Sequence, residues 1–240
     1  MGFPLPRTID ALERATTASC GLWPWAELAR RQGIDLEGHC AKQGIDLTQL
    51  RQPFARWSQR TCNTMAQFAC DALGSDAAMA AALTVEAGHF QLLELLVRTA
   101  PTVGDGLRLG CIFFPLLHDG GKLVHERLAN GAHAVTWLPP HDFPVHHAFV
   151  ELTFGVTVLG IRREARCRTA AAAEVTLQQT KPEQTAAYER VLGRLPQFAM
   201  PEHRIVFDRR VAALSLARSN AEVHENARML AHELIGSEEV

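Results

Sequence analysis

Eleven histidines in a chain of 240 residues invite a metal site. The densest group is His133, His141, His146 and His147. Its spacing fits no compact zinc template, and no HExxH is present. His146 and His147 are adjacent, so on a helix they point to different sides. Surface or hydrogen-bonded imidazoles are the better reading, with a haem or metal sensor as the alternative. Cys20, Cys40, Cys62, Cys70, Cys111 and Cys167 are dispersed and form no CxxC pair. That argues against a zinc ribbon, a thioredoxin-like motif and a secreted disulfide framework, and it suits reduced thiols in a cytoplasm. Ser58, Ser75 and Ser215 lack a GxSxG elbow. Glu174 and Glu183 have no pocket-like spacing. No catalytic residue, no metal ligand and no cofactor are expected.

A pocket for a small molecule is the sharper candidate. Such sites are mostly apolar, with a few placed polar groups. Phe90, Leu93, Glu94 and Val97 share one helix face by their i, i+3, i+4, i+7 spacing. Phe113, Trp137 and Phe149 lie on elements expected to pack nearby. Glu94 and Arg98 would be the polar handles. The same stripe also reads as ordinary core, which is what apolar helical faces usually build.

The elements that must position these residues change character near position 105. Before it, helix follows helix. Trp25–Gln32 and Leu36–Lys42 are short helices stopped by Gly33 and Gly44, and the phrases RQGIDLEG and KQGIDLTQ repeat the stop. Gln52–Leu73 is amphipathic through Phe54, Trp57, Thr61, Met65, Phe68 and Leu73. Ala77–Ala87 and His89–Thr99 follow as helices. After it, Leu107–Leu117 (LRLGCIFFPLL) reads as a strand. Lys122–Ala129 and Ala132–Leu138 flank Asn130-Gly131, a hairpin signal for a type I′ turn. Pro144 opens a helix running to about Arg163, with the stripe Val145, Phe149, Leu152, Val156 and Leu159. Phe154, Val158 and Ile161 lie off that stripe and suggest a surface for a second copy. Val175–Gln179 is a strand, Pro182–Leu192 a helix stopped by Gly193, Arg204–Asp208 a strand, and Ala221–Leu234 a polar closing helix. Helices first, then a mainly antiparallel sheet with helices packed on it, is an α+β pattern.

The composition suits one globular domain of mixed class, or one domain with helical appendages: 47% of residues are hydrophobic and 21% charged. No apolar run reaches membrane-spanning length. Met1–Asp10 lacks the apolar stretch of a secretory signal. Lys and Arg number 24 against 26 Asp and Glu, a formal net charge of −2. DNA-binding domains usually carry a basic excess or stripe, so direct DNA binding by these residues is not expected.

Several phrases together resemble a known family. HFQLLELLVRTAP at His89–Pro101 leads into VGDGLRLG. EVTLQQTKPEQTAAYERVLG spans Glu174–Gly193, with Lys181, Pro182, Tyr188 and Gly193 at the family's basic, proline, aromatic and turn positions. RIVFDRRVAALSLARSNAEVH follows, with Phe207 and Leu216 at its aromatic and final leucine positions. From about Gly33 to His232 the chain resembles the N-terminal, arabinose-binding-type effector domain of AraC-type transcription regulators. The change of period near position 105 divides the chain into a helical half (1–104), an α+β half (105–218) that with it makes up the same sensor domain, and a closing or linker helix (219–240). The resemblance implies a small-metabolite effector and a homodimer. The family's two helix-turn-helix units have no counterpart here, so the chain is expected to be either a regulator cut before its DNA-reading part or a free-standing sensor. The alternative is a ligand-binding protein that acts on a protein partner.

Overall fold

The computed structural model describes residues 14–52, 55–141 and 143–236. The expectations for Phe54 and for Met1–Asp10 fall outside them. The described chain begins with β1 (Thr16–Ala18), α1 (Ser19–Gln32) and α2 (Leu36–Lys42). Then come β2 (Arg56–Ser58), α3 (Gln59–Leu73), α4 (Ala77–Ala82) and α5 (Gln91–Thr99). The second half holds α6 (Val103–Ile112), β3 (Lys122–Arg127), β4 (His133–Leu138), α7 (His147–Glu164) and β5 (Glu174–Thr176). It ends with α8 (Ala186–Leu192), β6 (His203–Phe207), α9 (Arg209–Ala212) and α10 (Ala221–Gly236). The fold is α+β. A helical region precedes a four-stranded antiparallel sheet of order β3-β4-β6-β5. A separate antiparallel ribbon joins β1 to β2. Among the described residues no helix is long and apolar enough to cross a membrane.

Local chemistry explains most boundaries. The Asp35 side chain accepts the Gly38 N–H and starts α2, and Ser58 does the same for α3 through Thr61 N–H. Gly33 and Gly193 close α1 and α8 in the left-handed conformation. The hairpin lies where the Asn-Gly signal puts it, but its turn is not type I′. Only Gly131 takes positive φ, at 79°, and its N–H bonds the Leu128 carbonyl at 2.9 Å. Leu128 N–H in turn reaches the Ala132 carbonyl at 2.8 Å. This is a three-residue loop whose last residue is left-handed.

Two expectations need correction. Leu107–Leu117 is not a strand. It divides between α6 and a 3-10 turn at Phe114–Leu116. The apolar run is buried from several sides, which hides helical period. The start signal is Thr102: its Oγ1 accepts the Asp105 N–H at 3.2 Å and donates to Asp105 Oδ2 at 2.7 Å. The second correction concerns α7. Phe154, Val158 and Ile161 do not form a surface for another copy, since all three are buried within the chain's own core. The helix runs through the interior, with Phe149, Leu152 and Phe154 buried on different sides. That accounts for its surplus of apolar residues. One continuous core joins Leu22 and Met79 of the helical region to Phe154 of α7 and Ile205 and Phe207 of the sheet.

Candidate ligand pocket

The helix α5 brings its apolar stripe inward against α6, where glycines replace side chains. A Cβ on Gly106 would sit 3.2 Å from Val97, so α5 and α6 cross closely there. Opposite them runs α7, with Thr153, Val156, Thr157 and Gly160. Leu123 and Val135 of the hairpin and Leu216, beyond α9, complete the walls. These elements enclose a mainly apolar cavity of about 170 Å³. An engineered apolar cavity of about 150 Å³ stays dry and binds benzene, so this one suits a molecule with a body of that size.

Six of the eight residues singled out in the sequence line the cavity: Phe90, Leu93, Glu94, Val97, Arg98 and Phe149. Phe113 and Trp137 do not. Phe113 is buried and meets the His232 ring of α10 edge-on, with centroids 4.9 Å apart. Trp137 stacks on His118 with centroids 5.5 Å apart and lies edge-on to Phe114 at 5.9 Å. Both rings belong to the packing behind the pocket. Periodicity assigns a residue to a face but not to one side of a shared wall.

Charge gathers at one end of the cavity. Glu94 is nearly buried. It accepts the Gly88 and Phe90 N–H groups at 2.8 and 3.2 Å and receives Arg163 Nη2 at 3.0 Å. Arg163 Nε donates to Glu164 Oε1 at 2.8 Å. Arg98 lies 4.0 Å from both Glu94 and Glu164. Arg163 and Glu164 escaped attention because arginines ending a helix read as partners of its dipole. Thr153 and Thr157, also unforeseen, donate to carbonyls one turn back, at 2.9 and 2.8 Å.

The histidines are engaged separately. His133 Nδ1 pairs with His125 Nε2 at 2.9 Å. His146 caps α7 through Ala148 N–H and bonds Gln67. His147 faces Glu151 at 3.4 Å, and His141 is exposed. Among the described residues no group of three or more His, Cys, Asp or Glu is placed to hold a metal ion. Burial pushes His118, His146 and His203 down to about 4 and drives the Cys62 thiol up to about 12. Burial thus favours the neutral imidazoles and the protonated thiol.

Residues 33–216 match the family described as the arabinose-binding domain of AraC transcription regulators, N-terminal. The chain belongs to that family. It is thereby an effector-binding regulatory domain of AraC type. All eight residues singled out in the sequence lie inside the matched segment. So do Tyr188, buried with its hydroxyl on the Ser75 carbonyl at 3.2 Å, and Phe207, fully buried in the sheet. The AraC-type match leaves out β1, α1 and α10. A similar solved structure is the transcriptional regulator CdpR from Pseudomonas aeruginosa, with a TM-score of 0.54 at 13% sequence identity. The alignment covers 81% of this chain and 60% of that one, a likeness of fold. No curated protein matches the sequence.

Proposed function

We propose that this AraC-type domain senses a small, largely apolar metabolite in the cavity between α5, α6 and α7. The observation that carries the reading is the cavity itself: apolar walls from three helices and the hairpin, with an ion-pair cluster at one end. The same elements hold the segment leading into α10. Ala217 N–H bonds the Glu164 carbonyl at 2.8 Å, and Asn220 N–H bonds the Thr99 carbonyl at 3.2 Å. Thr99 Oγ1 also meets His224 Nδ1 at 3.1 Å. A molecule that binds one arrangement of α5 and α7 more tightly than another thereby biases α10. No catalytic step belongs to this reading. DNA contact is assigned to a further part of the regulator, since Arg228 of α10 is already paired with Glu225 at 2.6 Å and the net charge is −2.

The test is a metabolite screen by thermal shift on the wild type and on Gly160→Leu. A Cβ at Gly160 meets nothing within 4 Å, so the leucine projects into open space at the cavity wall. Ligands that stabilise the wild type and fail on Gly160→Leu support the reading. Equal stabilisation of both proteins contradicts it.

Self-association belongs to the same reading, with its surface on α10 rather than α7. Val223 and Leu230, one heptad apart, and Met229 are exposed there, a spacing that suits a partner helix. Light scattering gives a mass twice 26.4 kDa if this holds, and Leu230→Glu returns it to the monomer. A monomeric wild type at every concentration refutes it.

A further inference from the structure

We infer that the effector is a monoanion, a small carboxylate with an apolar body, whose carboxylate sits on Arg98. The inference rests on the pocket reading above and adds the chemistry of the ligand's head.

Four charged side chains line the charged end of the cavity, and three are already engaged. Glu94 holds two backbone N–H groups and Arg163. Arg163 is divided between Glu94 and Glu164. Glu164 takes Arg163 and, at 3.6 Å, Arg218. Arg98 differs. Its side chain is only 17% exposed, and its contacts are two ion pairs at 4.0 Å. It makes no hydrogen bond among the described residues, so the donors of its guanidinium are free to take a ligand at the cavity wall. The planar fork of arginine matches a carboxylate with two parallel N–H···O bonds.

The four lining charges, Glu94 and Glu164 against Arg98 and Arg163, balance among themselves, so the sign of the ligand's head comes from Arg98, the one member whose hydrogen-bonding fork is unfilled. A dianion would crowd the two glutamates. Size fixes the body, since a cavity of about 170 Å³ takes a ring or a chain of roughly six carbons.

The experiment uses calorimetric titration of the whole chain at constant ionic strength. The probes are sodium benzoate and sodium hexanoate against benzyl alcohol and 1-hexanol, which keep the body and lose the charge. On the wild type the acids should bind about tenfold or more tighter than the alcohols, the worth of a charge-assisted hydrogen bond. Arg98→Gln should erase that preference and change alcohol binding less than about twofold. Arg98→Lys should restore part of it. Acids and alcohols binding alike to the wild type would overturn the anion inference and leave the pocket standing, and this comparison needs no variant. A preference that survives in Arg98→Gln would remove Arg98 from the role. Failure of all four probes to bind would overturn this inference together with the pocket reading.

Discussion

Two glycines of α7, five residues apart, should respond to the same substitution with opposite sign. Gly155 and Gly160 are both helical. Replacing a mid-helix glycine by alanine gains about 1 kcal/mol through backbone entropy and propensity. At Gly160 the new methyl meets nothing within 4 Å, so the whole gain should appear. For a chain of this size it is worth about 2–4 °C in Tm. At Gly155 the methyl would lie 2.9 Å from Ala82 Cβ and 3.3 Å from Met79 Cε. The methionine end can swing away, but Ala82 Cβ is fixed to the backbone of α4. The two helices must therefore separate. Overpacking of this kind costs about 1–3 kcal/mol, enough to reverse the gain and leave a net loss of about 1 kcal/mol. The assay is thermal unfolding by circular dichroism, with urea midpoints as a second measure. Gly160→Ala should rise and Gly155→Ala should fall. Two rises would mean that α4 and α7 do not touch at Ala82, and two falls would mean that Gly160 does not face open space.

Gly131→Val should destabilise the domain, because φ of 79° at Gly131 is strained for a β-branched residue; unchanged melting would refute the turn. Phe154→Glu places a charge where the side chain is 1% exposed, so it should abolish folding rather than dissociate a folded dimer, and a folded, monomeric variant would restore α7 as an interface. Stability should fall with acid. His118 has a folded value of about 4 against an ordinary 6.5, through burial first, with Asp119 opposing and Arg56 adding. The unfolded chain therefore takes the proton first. The contribution is whole above pH 6.5 and is lost as pH drops towards 4, up to about 3 kcal/mol from this residue. His118→Gln should flatten that slope in pH-dependent melts, and an unaltered slope would deny His118 the role.

Much of this was legible in the sequence because the deciding chemistry is local. The stops at Gly33 and Gly193 and the hairpin near Asn130-Gly131 depend on a few adjacent residues. The α5 stripe pointed to the cavity, since helical spacing alone puts Phe90, Leu93 and Val97 on one face. The misses needed tertiary information. The helix α6 was hidden by glycines that lower helix propensity but allow close passage by Val97. The Thr102–Asp105 capping pair was the overlooked signal. Glu94 was read as a free handle, yet it is occupied by backbone N–H groups from its own approach loop. The strands β1 and β2 are three residues each and are held by side chains far away in sequence, such as Arg56 on Asp119 at 2.9 Å.

The central claim is that the cavity between α5, α6 and α7 receives a small molecule. A methyl-detected NMR titration with benzene tests it most directly, because an apolar cavity of about this size takes benzene whatever head group the natural effector carries. The account predicts saturable shifts concentrated on Leu93, Val97, Leu152, Val156 and Leu216, which line the cavity, with Leu128 and Val206 on the far side of the sheet unmoved. Shifts spread evenly over the surface, or no saturable shift at the cavity methyls, would contradict it.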